Sequence, residues 1–222
     1  MSKFYKFFLD SDKALNEDKA FQYLVTNKFD ITPTSQKNLA KELDWYSMQE
    51  ALNYQDFIPG MFYTFKYTSK VPMISGKSEF IDEIPLSLCI GKTQDSMLGF
   101  NFNLILNDIR AHILDKLYEY DKEFFGKTLP EALKKKQPVV SQELLKLFVD
   151  KGKRNAFINW MNINFKIPSE SFAYRRYDKR FIENVHLIDY WEWNWIPFLN
   201  FDKSVRGKSL REIQLDNAVA NS

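Results

Sequence analysis

The chain is poor in the residues that most often build metal sites. Its 222 residues include one cysteine, Cys89, and two histidines, His112 and His186. A single cysteine excludes an internal disulfide and a cysteine-rich zinc site. The two histidines are far apart in the sequence, and no HExxH motif is present. We therefore expect neither a metal ion nor another cofactor.

Excess charge and long apolar runs are also missing. The net charge is only +2, from 31 basic and 29 acidic residues, so no global field would attract nucleic acid or a membrane. No apolar run approaches the ~20 residues of a membrane span, and the apolar stretch near the start is too short for a signal peptide. We expect a soluble protein made in a reducing compartment, with no membrane partner.

Aromatic residues, by contrast, are abundant. Phe, Tyr and Trp number 20, 11 and 5, while Gly and Pro number only 7 and 8. Large rings bury much area per residue and are enriched where proteins meet. The composition therefore predicts a sizeable core and a protein that associates with itself or with a partner.

The pattern of apolar residues predicts an α+β fold, with a small antiparallel β-sheet or partly open barrel flanked by several helices. Alternation of apolar residues predicts the strands, whereas repeats every four residues predict the clearest helix, at 104–120. The strands are expected at 61–67, 84–91, 97–103 and 183–198. The predicted core consists of Phe65, Leu88, Leu98, Phe100 and the helix face 109–117.

Two regions follow from the same patterns. Residues 1–56 form an N-terminal helical segment, with amphipathic helices at 11–28 and 34–52. Residues 57–222 form the α+β core, which carries a helical insertion at about 126–172.

Two short motifs suggest a phosphate loop, "GKS" at 76–78 and "GKT" at 91–93. The Walker pattern needs a glycine five positions earlier, where this chain has Val71 and Leu86. We interpret both motifs as hairpin turns. No nucleophile elbow is present either, and we predict that the protein is not an enzyme.

The remaining reactive side chains have ordinary structural interpretations. Cys89 lies within the apolar stretch "PLSLCIG" and is expected to be an inert core thiol. His112 is expected to be a solvated helix residue, and His186 an outward-facing polar residue of the last strand.

The segment "DYWEWNWIPF" places Trp191, Trp193 and Trp195 at alternate positions. On a strand the three indoles would share one face, and an open face of that kind would be larger than a monomer normally exposes. We expect them to be covered, by helices of this chain or by another subunit. A stacking platform for a ligand is the alternative.

A basic block, "YRRYDKR", occupies 174–180. Three interpretations remain open: a solvated helical face before the last strand, a protein interface rich in Tyr and Arg, or a nucleic-acid contact surface. The interface candidates in this block are Tyr174, Arg175, Arg176, Lys179 and Arg180.

Two segments together resemble a family of structural proteins from the virions of tailed bacteriophages of the T4-like or crAss-like type. The first segment matches at Pro59-Gly60, Phe65 and Tyr67. The second matches at Asp82, Pro85-Leu86, Gly99, Asn101-Phe102, Arg110 and the run Leu114-Asp115-Lys116-Leu117. The final Trp-containing segment is also similar, whereas residues from about 126 to 172 have no counterpart.

The resemblance implies a virion component, made in the host cytoplasm, without catalytic residues. It suggests a ring in the head-to-tail or tail region, formed by copies of the chain and by neighbouring connector or tail proteins. The alternative is a DNA-binding protein that protects or guides the end of the packaged genome.

Overall fold

The computed structural model describes residues 3–11, 19, 57–68, 73–75, 78–80, 84–123, 141–169, 171, 173–188 and 190–199. Apart from Ser11 and Lys19, the helices predicted at 11–28 and 34–52 lie outside these residues, as do the segment 126–140 and the tail after 199.

Within the described part of the chain, five strands form one antiparallel sheet, in the order β6-β5-β4-β1-β7. The protein thus has an α+β fold with a partly open sheet. A separate hairpin pairs β2 with β3. The bounds are β1 Phe62–Tyr67, β2 Met73–Ser75, β3 Ser78–Phe80, β4 Leu86–Lys92, β5 Ser96–Asn101, β6 Tyr174–Asp178 and β7 Ile182–Ile188.

Three of the predicted strands are confirmed as β1, β4 and β5, but the strand predicted at 183–198 is wrong beyond Ile188. A 3-10 helix, Tyr190–Phe198, follows β7, and we call it the tryptophan helix. Ile188 pairs with Phe62, the first residue of β1, so β1 offers no pairing partner beyond this point. Pro197 also lacks the N–H that a ladder requires.

The basic segment at 174–178 is a strand, β6, which the sequence patterns did not predict. It pairs with β5 along its whole length, from Tyr174 opposite Phe100 to Asp178 opposite Ser96. Charged side chains are common on the outermost strand of a sheet, because they discourage uncontrolled pairing. Such charges break the alternation by which strands are recognised.

The α-helices lie on one side of this sheet. The helix predicted at 104–120 is confirmed from Asn107 onward, after a short 3-10 turn. Side chains of Ser141 and Asp150 cap the two helices that follow by accepting a backbone N–H three residues on. The bounds are α1 Phe4–Asp10, α2 Asn107–Tyr120, α3 Gln142–Val149 and α4 Lys151–Phe165.

Both faces of the sheet are buried, and the described residues form a core on each face. The core on the helical side includes Leu88 and Phe100. The core on the opposite face includes Phe65, Cys89 and Tyr177. Most of the predicted core residues are therefore buried but divided between two faces, whereas Leu98 and Ile109 are only half-buried.

The sheet is strongly curled. The ring centroids of Phe65 on β1 and Tyr177 on β6 lie 5.0 Å apart, although β4 and β5 separate these strands. Three strand spacings of ~4.8 Å would hold the two strands ~14 Å apart in a flat sheet. The second core therefore lies inside a concave, barrel-like face.

The first helix is held by a residue far away in the sequence. The Asp115 carboxylate on α2 accepts the backbone N–H groups of Lys3, Phe4 and Tyr5, at 2.7, 2.8 and 3.1 Å. These are donors that the start of a helix leaves without intrahelical partners. Asp115 therefore joins α1 to α2.

Candidate interaction surface

Trp193 and Trp195 do not share a face. Successive residues of a 3-10 helix are ~120° apart, so these two positions, two residues apart, point in different directions. Trp193 is fully buried; its Nε1–H donates to the Ile188 carbonyl at 3.2 Å, and its ring is edge-on to Phe62. Trp195 is half-buried near Phe7. Trp191 belongs to the helix, but its side chain is outside the described part.

Arg110 links the tryptophan helix to the core by hydrogen bonds. Its buried guanidinium donates to the carbonyls of Ile105 at 2.8 Å, of Ile196 at 3.4 Å, and of Leu199. These carbonyls lie at the start of α2 and at the end of the tryptophan helix. Trp193 and Arg110 therefore hold this segment in the fold, and the prediction of a common indole face is wrong.

The basic block is a strand followed by a short turn, and the interpretation as a helical face is wrong. Tyr174 is half-buried against Phe100, with ring centroids 4.8 Å apart. The Arg175 guanidinium lies 5.5 Å from the Tyr177 ring centroid, within the range of a cation–π contact.

The last cations of the block contact groups of their own chain. Lys179 Nζ donates to the carbonyls of Thr93 and Gln94, at 3.2 and 2.9 Å. Arg180 bonds both carboxylate oxygens of Asp178. This side-chain contact, with the Arg180 backbone N–H, lowers the pKa of Asp178 to about 2. Arg176 is exposed, and the described residues provide no partner for its side chain.

The two outer strands of the described sheet differ in regularity. β6 pairs with β5 in an unbroken register. On β7 the register shifts opposite Thr64–Lys66, and Asn184 has a positive φ of 51°. A bulge of this kind twists an edge and interrupts pairing. Glu183 beside it is exposed, 3.9 Å from Lys66.

This bulge also reverses the expected orientation of His186. Glu183 and Asn184 are both exposed, so strict alternation is lost, and His186 is buried opposite Thr64. The prediction that His186 faces outward is therefore wrong.

His112 is also less exposed than predicted. Its ring is half-buried and stacks on the Tyr5 ring, with the centroids 3.8 Å apart. The Phe165 ring centroid lies 5.9 Å away, and its plane is inclined by 26°. The imidazole thus connects α1, α2 and α4, and the prediction of a solvated histidine is wrong.

Cys89 is buried as predicted, and desolvation raises its pKa to about 12. A thiol with that pKa is a poor nucleophile at neutral pH. The "GKT" motif leads into a turn in which Thr93 N–H donates to the Ser96 carbonyl. The strands around "GKS" pair as a hairpin, with Ser75 opposite Ser78.

The described residues contain no group of three His, Cys, Asp or Glu side chains placed to hold a metal ion. Over the same residues, no helix has the length and apolarity that a bilayer crossing requires.

A further surface, which the sequence patterns did not indicate, is the outward side of α4. Only Phe157 and Met161 of its 15 residues are buried. Four polar side chains of the opposite side are exposed: Lys151, Asn155, Asn159 and Asn162. One feature of the sequence could have indicated this surface: residues 151–168 contain no acidic residue.

The chain matches no known protein family, no curated protein and no solved structure. The fold itself defines an α+β protein with a curled sheet, in which β6 and β7 are the outer described strands, and with a helix, α4, that exposes a polar stripe.

Proposed function

We propose that the protein is a non-enzymatic structural component of a tailed-bacteriophage virion. It forms a ring in the head-to-tail or tail region with copies of itself, and the ring contacts neighbouring connector or tail proteins. The resemblance supports this proposal because the matching residues have packing roles. Gly60, for example, has a φ of +92°, and an added Cβ would lie 2.9 Å from the Leu144 Cβ.

The observation that carries the proposal is the pair of unlike strand edges in the described sheet. β6 presents the cations Arg175 and Arg176 at one edge, and β7 presents Glu183 at the other. A contact between two different surfaces of the same chain is heterologous, and such contacts close into rings when the rotation between copies allows it.

In the proposed ring, β6 of one copy lies beside β7 of the next. The bulge in β7 and the charges of β6 disfavour a continuous backbone ladder between copies, so side chains supply this contact. The exposed Glu183 would exchange its contact with Lys66, which is 3.9 Å long, for a contact with Arg176 of the neighbouring copy. Exposed ion pairs contribute only ~0–1 kcal/mol, so this exchange costs little.

A charge-exchange experiment tests the proposal. Arg176→Glu and Glu183→Lys are made singly and together, and light scattering measures molar mass over a range of protein concentrations. Each single reversal should weaken assembly because like charges then face each other. The double variant should restore it, and Lys6→Glu on the exposed surface of α1 serves as the control.

Electron microscopy of the assembled protein should then show closed rings. A monomer at every concentration, with no ring when connector or tail proteins are added, would contradict the proposal. Equal effects of Lys6→Glu and Arg176→Glu would contradict the proposed edges.

The alternative, a protein that protects or guides the end of packaged DNA, needs a continuous basic face. In the block 174–180, three of the four cations contact groups of their own chain, as Arg175, Lys179 and Arg180 do. This block therefore supports the alternative less well than its composition suggests.

A further inference from the structure

The charge pattern of α4 is unusual for a solvated helix. Its first turn contains Lys151, Lys153 and Arg154, and the helix has no acidic residue. Cations near a helix N-terminus oppose the macrodipole. Asp150 precedes the helix as its cap and accepts the Lys153 backbone N–H at 2.9 Å.

Neighbouring helices follow the ordinary pattern. On α2, Lys116 pairs with Glu119, and on α3, Lys146 pairs with Glu143. Such pairs three or four residues apart support a solvent-facing helix. Because α4 has none, its surface fits an acidic partner better than it fits solvent alone.

The exposed polar side chains of α4 form one stripe. At ~100° per residue, Lys151, Asn155, Asn159 and Asn162 fall within an arc of ~80°. All four are exposed, and their side chains contact no hydrogen-bond partner among the described residues. Asn164, off this stripe, instead donates to the Trp160 carbonyl at 2.8 Å.

We propose that this stripe of α4 binds duplex DNA in the major groove. An Asn amide carries one donor group and one acceptor, which match N7 and N6 of adenine. Lys151, which belongs to the stripe, would contact a phosphate. A 15-residue helix is ~22 Å long, and a groove ~12 Å wide admits one helix.

The small neighbours of the stripe favour close approach to base edges. Gly152 and Ala156 are both exposed beside it, so close approach on that side is restricted only by the exposed Ile163. This DNA surface is distinct from β6 and does not depend on ring formation.

Fluorescence anisotropy with the full chain tests the proposal, using an A·T-rich duplex and a G·C-rich duplex of equal length. Non-specific DNA binding usually has Kd ~1–100 μM at physiological salt, and we expect binding to the A·T-rich duplex at or below this range. Because each lysine–phosphate contact contributes ~0.9 to the slope of log K against log salt, Lys151→Ala should reduce the slope by about 0.9.

The asparagines are tested separately. Asn155→Ala/Asn159→Ala should reduce the preference for the A·T-rich duplex by at least ~fivefold, since each bidentate contact contributes that much discrimination, and should leave the salt slope unchanged. A duplex RNA of the same sequence should bind more weakly, because its major groove is too deep and narrow for a helix.

Control variants test whether any loss of DNA binding is specific to α4. Lys6→Ala/Lys66→Ala removes two exposed cations elsewhere and should change neither affinity nor slope. Circular dichroism verifies that each variant is folded, and light scattering verifies that the α4 variants assemble as the unaltered chain does, which separates this proposal from the ring.

Three results would overturn the proposal: no binding at 100 μM protein in low salt, equal loss from the control variant, or loss only with Arg175→Ala/Arg176→Ala. The last result would move the DNA surface to β6. Binding of the unaltered chain to a protein partner but not to DNA, with that binding lost in the α4 variants, would make the stripe a protein interface.

Discussion

Tyr177 packs its ring directly over Gly99 of the neighbouring strand. A Cβ added at Gly99 would lie 2.7 Å from Cε2 of Tyr177 and 2.2 Å from the Ser87 hydroxyl oxygen. The missing side chain lets the tyrosine cross the concave face and meet Phe65, 5.0 Å away. Glycine at a bend beneath an aromatic ring is a known means of curving a sheet.

Gly99→Ala should therefore destabilise the protein by ~1–3 kcal/mol, the usual cost of overpacking a core. The free energy of unfolding from urea titration measures it. Gly91→Ala is the matched control in the adjacent strand, since its added Cβ would lie 3.4 Å from Leu98 and Arg154, an ordinary contact distance. Equal effects of the two substitutions would contradict the packing described for Tyr177.

Arg110→Met should also destabilise the fold, because it keeps the side-chain length but leaves buried carbonyls without their donor. Each such group costs ~1–3 kcal/mol, so we expect a loss of at least ~2 kcal/mol. Limited proteolysis should detect earlier cleavage near the tryptophan helix. Arg176→Met removes an exposed guanidinium and should stay within the ~0.5 kcal/mol typical of surface sites.

The tryptophans should differ sharply in their contribution to stability. Trp193→Ala should cost ~3–5 kcal/mol, as expected for a fully buried large ring, whereas Trp195→Ala should cost less because Trp195 is only half-buried. Urea unfolding of the two variants measures this difference. Similar costs would support the shared strand face that the sequence pattern predicted.

The Asp178–Arg180 contact predicts a specific pH response. Carboxyl NMR titration should give Asp178 a pKa of about 2, below its ordinary 3.8. Since the folded-state value is lowered, the stability from this contact is present above about pH 4 and is lost as the pH falls through about 2. Arg180→Ala should raise the pKa, and Arg176→Ala should leave it unchanged.

The thiol of Cys89 should be inaccessible in the native protein. Because burial raises its pKa to about 12, an aromatic disulfide reagent should react slowly at pH 8, and the reaction should become fast when urea unfolds the chain. Fast labelling of the folded protein would contradict the position of Cys89 in the second core.

The periodicity of apolar residues identified the strands and the helix in which buried positions recur at regular intervals. The strands β1, β4 and β5 and the helix α2 each present regular apolar positions to a core, so their patterns carried enough information. Cys89 is buried as its apolar stretch predicted, although it lies on the face opposite Leu88, because both faces of the sheet are covered.

The end of β7 could not be predicted in this way. "DYWEWNWIPF" alternates as a strand does, but pairing requires a neighbour, and β1 begins opposite Ile188. The position of His186 depended on the bulge at Asn184, and the strand β6 depended on its pairing with β5. These are properties of partners distant in the sequence.

The sequence by itself determined the α+β class, the principal strands and helix, and the aromatic composition of the core. Only the tertiary structure decided which of two faces each ring occupies, which cations of 174–180 are engaged, and that α4 exposes its asparagines. The physical reason is that periodicity along the chain indicates whether a side chain is buried. Strand order and sheet curvature determine which other residues that side chain contacts. Gly99 and Tyr177, 78 positions apart in the printed sequence, meet because β5 and β6 are neighbours in the sheet.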